Sequence, residues 1–558
     1  MKVRTTVIAL ALLSAVISSV MLTAQSPAPA IDTIRQADLK ADLFFLASDA
    51  MKGRLTNTPE SLIASEWIKS RFERMGVAPA VPGYFQNYNL MTVTLGPTNA
   101  LEINGTAVPH GDGYYTQRFS GTGEARGNVV FAGFGITAKD MGYDDYASDI
   151  VKGSVVLVVD HEPGERDPAS RFDGVVTSDA GGALRKAQAA QAAGAVAILY
   201  VSDVHNHPGG GANVNARGAW PEQPSRLGTY SLETWMNSIK IPAAQISAAL
   251  AATLVKGSGR TLEDLSKAAD TGKAITPIAL PGAQVHLTTS VNRTPIPDRN
   301  VLAMIEGSDP QLKNEWVVVS AHFDHDGVNG TQIMNGADDD GSGTVAVLDI
   351  AEAYVAAAAQ GRRPKRSILF AQFNSEERGL LGAWAYTETP TVPLANIVAV
   401  LNMDMIGRNE EVPPPAPPPA AGVTGAQPGR GGAGGGRFNG LEPQTAESNA
   451  NALNILGSVR SPDLKKAIDA ANEGQRLDVR YRYDNNTSQL MRRSDQWPFI
   501  QHGVPGVWVF TGLHLDYHTP QDRPERINYV KMEKVARLVY QASWDLANAP
   551  TRPKLLPR

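Results

Sequence analysis

Uniformly apolar runs of strand length alternate with helical segments in the second half of the chain. The apolar runs cover residues 301–305, 316–320, 367–373, 397–401 and 504–510, and helical segments at 343–359 and 462–473 lie between them. Strands that are apolar on both faces are typical of parallel sheets covered by helices on both sides. The pattern therefore predicts an α/β fold, with a mostly parallel mixed sheet and helices on both faces.

A segment of different character separates this sheet from the N-terminal part of the chain. Short β-like runs at 128–132, 154–159 and 196–200 flank an alanine-rich helical stretch at 182–193. Upstream, apolar residues recur at helical spacing between residues 41 and 74. We therefore expect a β-rich module at 108–284, inserted into a larger domain formed by residues 31–107 and 285–548.

The N-terminus has the pattern of a secretory signal peptide. Lys2 and Arg4 precede an apolar run, residues 7–22, and small residues and proline follow at once. The alternative is an uncleaved membrane anchor, because the run is near the shorter limit for spanning a bilayer. We expect residues 1–24 to be removed, which predicts a periplasmic or secreted protein with no membrane association afterwards.

One long segment of the predicted catalytic domain does not have the composition of a packed core. Residues 411–447 are dense in proline, glycine and alanine. Because strands of one sheet are predicted on both sides of this segment, we interpret it as a mobile loop and not as a domain boundary.

The composition limits the chemistry that this chain can perform. It has 558 residues, of which 42% are hydrophobic, and its 51 basic and 56 acidic residues give a formal net charge of −5. This balance gives no electrostatic reason to expect a nucleic-acid partner. The absence of cysteine excludes disulfides, thiolate ligands and a cysteine nucleophile. Any metal ion must therefore be bound by histidine and carboxylate.

Histidine and carboxylate residues follow four successive predicted strands. These residues are His322, Glu377, Asp404 and His518. Because ligands gather outside the carboxyl ends of parallel strands, we expect them to meet at one rim of the sheet. A fifth candidate, Asp338, lies in a glycine-rich turn directly before a helix. Imidazole and carboxylate ligands suit zinc, although manganese or cobalt fits the same set.

The charges of this set favour two metal ions over one. Asp338, Glu377 and Asp404 contribute −3, two divalent ions +4 and a bridging hydroxide −1, so that the cluster is neutral. Metals in such pairs lie about 3.5–4 Å apart, polarise a carbonyl and generate hydroxide. One carboxylate must bridge them, and we assign Asp338, because backbone amides of its glycine-rich turn can hold its neighbours.

The motifs around these residues resemble those of a known peptidase family. In chain order they read HFD at 322–324, GADDDGSG at 336–343, NSEERGLLG at 374–382, NMD at 402–404 and YHTPQD at 517–522. They resemble the co-catalytic zinc peptidases that include bacterial leucyl-type aminopeptidases and glutamate carboxypeptidase II. The resemblance covers about residues 39–548. The inserted module resembles a protease-associated domain through VVFAGFGI at 129–136 and YDDY at 143–146.

The resemblance implies a zinc aminopeptidase fold of the phosphorylase/hydrolase-like type and a role for each ligand. His322 and Asp404 would bind one zinc ion, Glu377 and His518 the other, and Asp338 would bridge them. Glu376 would be the general base of peptide hydrolysis by a hydroxide that bridges the two metals. Adjacent glutamates suit this division, because Glu377 is held as an anion while Glu376 is free to move a proton. A solvated surface turn is the alternative for this pair.

Residues near the motifs receive supporting roles. We expect Asp324 to accept a hydrogen bond from an imidazole ligand and so fix its tautomer, with a surface aspartate as the alternative. The Tyr517 hydroxyl is placed to stabilise a tetrahedral oxyanion, with ordinary packing as the alternative. Ser494, Asp495 and Gln496 precede the last sheet strand and are expected to line the substrate pocket.

Histidines outside the ligand set are expected to be structural. This applies to His325, His502 and His514, which lie near the motifs. His205 and His207 have the spacing of metal ligands, but they lie in a glycine-rich loop without an evident carboxylate partner. We therefore expect no functional metal at that pair.

The function that these observations predict is an exported metallo-exopeptidase, an aminopeptidase with two zinc ions that acts on peptides. A carboxypeptidase would need a basic pocket, for which Arg408, Arg492 and Arg493 are the candidates. A glutaminyl cyclase resembles the family but uses one zinc, which the intact His322 and Asp404 disfavour. A receptor-like relative without metal remains a third alternative. The preferred side chain and the oligomeric state stay open.

Overall fold

Two large sheets with their helices make up the described chain. The computed structural model describes residues 27–209, 214, 216–222, 225–414 and 437–557. The predicted signal peptide and most of the segment 411–447 lie outside the described residues and stay predictions. The α/β class with an additional β-rich unit is confirmed.

The strands of the described residues are numbered in chain order. They are β1 (Ala78–Pro79), β2 (Phe85–Leu95), β3 (Ala100–Ile103), β4 (Thr106–Val108), β5 (Tyr114–Thr116), β6 (Gly123–Phe131), β7 (Thr137–Ala138), β8 (Tyr143–Asp144), β9 (Val155–Val159), β10 (Ala197–Val201), β11 (Ser231–Leu232), β12 (Ala243–Ile246), β13 (Ile278–Thr289), β14 (Val291–Ile305), β15 (Trp316–His322), β16 (Val328–Asn329), β17 (Gln332–Ile333), β18 (Ser367–Phe373), β19 (Ile397–Met403), β20 (Ala452–Leu456), β21 (Asp478–Arg480) and β22 (Gly506–Phe510).

The α-helices are numbered in the same way. They are α1 (Gln36–Leu46), α2 (Pro59–Met75), α3 (Ala183–Ala192), α4 (Ala216–Ala219), α5 (Glu233–Ser238), α6 (Ala248–Val255), α7 (Leu262–Ala269), α8 (Gly343–Ala359), α9 (Leu381–Glu388), α10 (Pro462–Asn472), α11 (Gln496–Gln501) and α12 (Tyr529–Asn548).

The larger sheet contains the strands that precede the candidate ligands. Its ten strands run in the order β11-β2-β14-β18-β15-β19-β22-β20-β21, with β1 beside β14. The central strands β18, β15, β19 and β22 are mutually parallel. Strands β14 and β20 extend them in the antiparallel sense. The predicted mixed, mostly parallel arrangement therefore holds for the strands that matter to the site.

Helices cover both faces of this sheet, as the apolar strands require. Val317 and Val319 of β15 pack in one core with residues of α1, α2, α8 and α12. Val318 points to the opposite face and packs with residues of α9 and α11. Successive side chains of a strand alternate between faces, so a strand buried on both sides is apolar throughout.

The helix α8 at the centre of the first core follows directly from the glycine-rich turn. The stretch Ala337–Ala359 is also the one part of the described chain that is long and apolar enough to cross a membrane, and 72% of its most apolar window is buried inside the protein. That burial is what a core helix of this length requires.

The smaller sheet forms a unit with its own core. Its eight strands run in the order β4-β3-β13-β6-β9-β10-β12-β5. Strands β6, β9, β10 and β12 are parallel neighbours, and apolar clusters cover both of their faces. Strand β13 ends at Thr289 and β14 of the larger sheet begins at Val291. The chain therefore passes from one sheet to the other almost without a linker.

Candidate metal centre

The parallel strands of the larger sheet end at the same level. His322 at the end of β15 is the register partner of Phe373 at the end of β18. Met403 of β19 is paired with Val509 of β22. The residues that follow these ends are therefore delivered to one rim, and the longer loop after β22 returns His518 to the same place.

One group of ligand atoms is centred on His322. Its Nε2 lies 3.4 Å from Asp339 Oδ1 and 3.8 Å from Asp404 Oδ1. The three side chains are almost completely buried. Ligand atoms of a tetrahedral zinc site are about 3.4 Å apart when the bonds are 2.0–2.1 Å, so this spacing suits one zinc ion.

A second group is centred on His518. Its Nε2 lies 3.0 Å from Asp339 Oδ2 and 3.4 Å from Glu377 Oε1. Glu377 Oε1 is also 2.8 Å from Nδ1 of the fully buried His325. The same His325 nitrogen lies 3.8 Å from Asp339 Oδ2, so the ring faces two carboxylates of the centre. The sequence had predicted only a structural role for His325.

The aspartate that lies between the two groups is Asp339, and not Asp338 as expected for the bridging role. The two oxygens of Asp339 face different histidines, Oδ1 towards His322 and Oδ2 towards His518. Asp338 points elsewhere, because its Oδ1 accepts a hydrogen bond of 2.6 Å from the Gly407 N–H. The geometry therefore favours Asp339 over Asp338 for the shared carboxylate. The turn is irregular, with φ/ψ of −102°/101° at Asp339, so neighbouring aspartates diverge.

The atoms at this centre have the unmet polar demand that a metal would satisfy. Among the described residues, the following buried atoms make no hydrogen bond of correct geometry: His322 Nε2, His325 Nδ1 and Nε2, Glu377 Oε1, Asp404 Oδ1 and His518 Nε2. This includes His325 Nδ1 and Glu377 Oε1, whose 2.8 Å contact does not have that geometry. Buried polar atoms are rarely left without a partner, and each such atom needs an explanation. The donor set and its spacing fit zinc.

The electrostatics of the centre lead to the same conclusion. Burial raises the pKa of Glu377 and of Asp404, because a buried anion loses its hydration. Burial opposes protonation of His322, but the charge of Glu376 and contacts with other carboxylates raise its pKa well above the usual value. A surplus of buried negative charge is what bound divalent cations offset.

The turn that presents Glu376 and Glu377 is held by two aspartates. Asp298 accepts hydrogen bonds from the side chains of Asn374 and Ser375, at the start of the turn. Asp324 accepts the backbone N–H of Glu376 at 2.9 Å and that of Glu377 at 3.3 Å. The turn is therefore oriented by one carboxylate of β14 and one of the loop that follows β15.

Asp324 therefore has a different role from the one expected. Its Oδ1 is 3.6 Å from His322 Nδ1, which instead lies 3.2 Å from the backbone carbonyl of Asp324 itself. The carboxylate that accepts from an imidazole is Asp326, whose Oδ2 lies 2.8 Å from His518 Nδ1. In the sequence, the only sign of this role is that Asp326 shares a short acidic loop with Asp324.

A buried arginine holds two of the motif loops together. Arg54 is fully buried and donates to the carbonyls of Leu46, Phe323, Asn335 and Gly336, at 2.7–2.9 Å. Burial lowers its pKa to about 10, with neighbouring carboxylates opposing that shift. Arg54 thus positions the backbone next to His322 and next to the glycine-rich turn. The sequence contained no signal for this role.

A cleft of about 360 Å³ opens beside the centre. Its lining residues are Asp339, Glu376, Glu377, Gly379, Leu380, Asp404, Met405, Leu490, Arg492, Arg493, Trp508, Leu513 and Tyr517. Tyr517 is placed as its expected role requires, although its action on an oxyanion stays a prediction. Arg408 is not part of the lining and pairs with Asp516 at 2.7 Å.

Three residues expected in the pocket lie behind the centre instead. Ser494, Asp495 and Gln496 are fully buried. The Ser494 hydroxyl donates to Asp404 Oδ2 and accepts from the Asn402 amide at 2.8 Å, so it orients a candidate ligand. The residues just before this segment that reach the cleft are Leu490, Arg492 and Arg493. Sequence position before a strand did not specify which side chains face outward.

Two models of known protein families match parts of this chain. Residues 300–422 and 444–543 match the model of peptidase family M28, and residues 125–254 match that of the PA domain. The candidate ligands His322, Asp339, Glu377, Asp404 and His518 all lie within the peptidase match. The PA match covers strands β6 to β10 and β12 of the smaller sheet region and also includes β11, which pairs with β2 at the edge of the larger sheet.

Individual relatives are distant. A probable zinc metalloprotease of Pyrenophora teres f. teres is 27% identical over 301 residues, which are 49% of this chain and 56% of that protein. A probable glutamate carboxypeptidase of Arabidopsis thaliana is 25% identical over 499 residues, 84% of this chain and 61% of that protein. An aminopeptidase from Aneurinibacillus sp. strain AM-1 superposes with a TM-score of 0.46 at 17% identity, covering 95% of this chain and 97% of the other. The chain spans about half the length of the first curated relatives it matches.

Proposed function

We propose that this chain is a zinc metallopeptidase of the M28 family with an inserted PA domain, and that it acts as an exported aminopeptidase with two zinc ions. The observation that carries the proposal is the position of Asp339. Its two oxygens face separate groups, His322 with Asp404 and His518 with Glu377. A carboxylate shared in this way suits a pair of metals better than a single ion.

The residues of the two groups would each hold one zinc ion, with Asp339 shared. Zinc bound there would polarise the scissile carbonyl and lower the pKa of water, which is the usual contribution of such ions. Asp326 keeps His518 in one tautomer, with Nδ1–H donated to the carboxylate and Nε2 free to act as a ligand. The Ser494 hydroxyl donates a hydrogen bond to Asp404 Oδ2 and so fixes the orientation of that carboxylate.

Glu376 is the residue of this chain that would move the proton. It lines the cleft, and its Oε2 lies 3.9 Å from His322 Nε2, so it stands beside the ligands without belonging to either group. Burial raises its pKa well above the usual value, which suits a carboxylate that must accept a proton. As the water oxygen bonds to the carbonyl carbon, Glu376 takes the water proton. It returns that proton to the amine nitrogen as the C–N bond breaks.

The charge of the cleft supports trimming from the amino end. Four carboxylates line it near the centre, namely Asp339, Glu376, Glu377 and Asp404. Two zinc ions would offset these four charges, and with one bound hydroxide the groups would together keep one negative charge, which suits a substrate α-ammonium group. A free N-terminus is therefore the substrate feature that we expect the enzyme to require.

One observation favours a second candidate, a carboxypeptidase. Arg492 and Arg493 line the same cleft, and a guanidinium is a good partner for a terminal carboxylate. Arg493 is partly engaged, because it donates to the Ser488 carbonyl at 2.7 Å. The two candidates require opposite ends of the peptide to be free, so substrates with one blocked end distinguish them.

The test compares leucyl-p-nitroanilide, its N-acetylated form and an N-acyl dipeptide with a free carboxylate. We expect cleavage of the free amine only, lost to chelator and restored by zinc. Cleavage of the N-acyl dipeptide alone would support the carboxypeptidase. Inactivity towards all three by protein without metal would support the receptor-like alternative.

Glu376→Gln tests the role of the general base. The amide cannot accept the proton, so kcat should fall by at least about 100-fold, the usual contribution of such a group. The zinc content should stay that of the wild type, because Glu376 belongs to neither ligand group. A variant that retains most of its kcat would refute the assignment. Sequencing the N-terminus of the mature protein tests the proposed export.

A further inference from the structure

A second group of histidine and carboxylate side chains lies in the PA domain, outside the motifs of the peptidase. Strands β9 and β10 are parallel neighbours, with Val159 paired with Val201 at their carboxyl ends. His161 and Glu165 follow β9, and His207 follows β10. The sheet therefore brings together residues that are more than forty positions apart in the chain.

The three side chains meet around the carboxylate of Glu165. Its Oε2 lies 2.8 Å from His161 Nδ1, and its Oε1 lies 2.6 Å from His207 Nε2. The two imidazole rings stack, with centroids 4.4 Å apart and planes inclined by 29°. One ligand atom of each residue lies within 4.8 Å of the other two. A single ion can therefore reach all three.

This arrangement differs from an ordinary ion pair at the surface. Glu165 Oε1 and His207 Nε2 are both buried, and neither has a hydrogen-bond partner in correct geometry within the described residues. A divalent cation would give both buried atoms a partner, since it binds neutral imidazoles and carboxylate oxygens.

The group is accessible to solvent, although its carboxylate is mostly buried. The Glu165 side chain is only 13% exposed, whereas His161 and His207 are 42% and 40% exposed. An ion can therefore enter from solvent and still be bound by a carboxylate that is mostly buried. His161 has a left-handed φ of 66°, an uncommon conformation for a residue other than glycine and one that recurs at ligand sites.

We propose that His161, Glu165 and His207 bind one further divalent transition-metal ion of the zinc class, outside the peptidase centre. Two imidazoles and one carboxylate are a ligand set that zinc accepts, with solvent in the remaining position. The observed separations of 2.6–2.8 Å are shorter than the roughly 3.4 Å between ligand atoms of zinc, so the Glu165 side chain must draw back by less than about 1 Å. Of the pair His205 and His207, only the second takes part.

The ion would connect two loops of the PA domain next to the peptidase. The segment after Glu165 continues to Val175 and Thr177, whose N–H groups donate to Asn485 Oδ1 and Gln489 Oε1 at 2.9 Å each. Gln489 directly precedes Leu490, a residue of the catalytic cleft. Metal in the PA domain is therefore expected to raise the stability of the contact between the two units.

Zinc content of the full chain tests this site. Wild-type protein and variants are dialysed against zinc buffered at a low free concentration, and the zinc per chain is measured by mass spectrometry. Glu165→Gln and His207→Ala should each contain one zinc fewer than the wild type. His205→Ala, a histidine of the same loop outside the group, should contain as much as the wild type.

The reverse variant separates this site from the peptidase centre. A chain with His322→Ala and His518→Ala should retain one zinc, and His207→Ala in that background should remove it. If the Glu165 and His207 variants keep the zinc content of the wild type, the inference is wrong. One zinc that depends only on His207 would uphold this site and contradict the two-zinc centre. Circular dichroism and thermal unfolding confirm that each variant is folded.

Discussion

Asp326 offers the sharpest test of how the proposed centre is held together. Its Oδ2 accepts from His518 Nδ1 at 2.8 Å, and its Oδ1 accepts from Arg378 at 2.7 Å. Burial alone would raise the pKa of Asp326, but the hydrogen bond and charge of His518, with His325 and Arg378, lower it well below the usual range. The residue is therefore an anion that orients His518 and increases its basicity as a ligand.

The magnitude follows from that single contact. A hydrogen bond to a charged group contributes about 1.5–3 kcal/mol, and its loss corresponds to roughly 10- to 150-fold in an equilibrium constant. Carboxylates behind a histidine ligand typically change metal affinity by about 10- to 100-fold. We therefore expect Asp326→Ala to weaken one zinc site by about 10- to 100-fold. Asp326→Asn should lie between, because its single carbonyl oxygen can serve only one of the two donors.

The assay is competition for zinc with a chelating dye in the His207→Ala background, where the two binding steps of the proposed centre remain. In Asp326→Ala one of these two steps should shift to weaker binding and the other should stay unchanged. Asp516→Asn is the matched control, because Asp516 lies two residues before His518 but pairs with Arg408 and Arg526 at 2.7 and 2.8 Å. Its zinc affinity should stay within about threefold of the wild type. Equal losses in both variants, or no loss in Asp326→Ala, would refute the orienting role.

Two further predictions test the bridge and the PA domain. Asp339→Asn should remove zinc from both sites of the proposed centre and lower kcat/KM by at least about 100-fold. Asp338→Asn should keep the zinc content of the wild type, as measured by metal analysis. The opposite result would restore Asp338 as the bridge. Burial raises the pKa of Asp145 to about 6, so the ionised carboxylate is disfavoured in the folded state. The stability that the protonated Asp145 contributes is therefore fully present below about pH 3.8 and is lost as the pH rises through 6. Between pH 4 and pH 7, the unfolding free energy of the wild type should therefore fall by up to about 3 kcal/mol more than that of Asp145→Asn. Denaturant titrations at each pH measure both values, and the same decrease in both proteins would contradict this.

The pattern of apolar runs determined which strands form the centre of the larger sheet and which of their ends carry the candidate ligands. This was possible because a strand buried on both faces must be apolar throughout, and parallel strands place their carboxyl ends at one rim. His322, Glu377, Asp404 and His518 could therefore be grouped from the sequence alone. The family motifs agreed with that grouping.

The tertiary structure decided which of several adjacent polar residues performs each role. Three aspartates stand in a row at 338–340, and regular periodicity gives no direction to side chains in an irregular turn. Gly407 holds Asp338 away from the centre, while the backbone dihedrals aim Asp339 between two histidines. In the same way, position before a strand did not show that Ser494 faces inward to Asp404.

The meeting of His161, Glu165 and His207 also depends on the fold. His207 follows a different strand from the other two, and only the parallel pairing of β9 with β10 makes them neighbours. From the local sequence, the only candidate partner for His207 was His205, because the two are separated by a single residue. Strand pairing is a long-range interaction, so the sequence determined which side chains were available and the tertiary structure determined which of them touch.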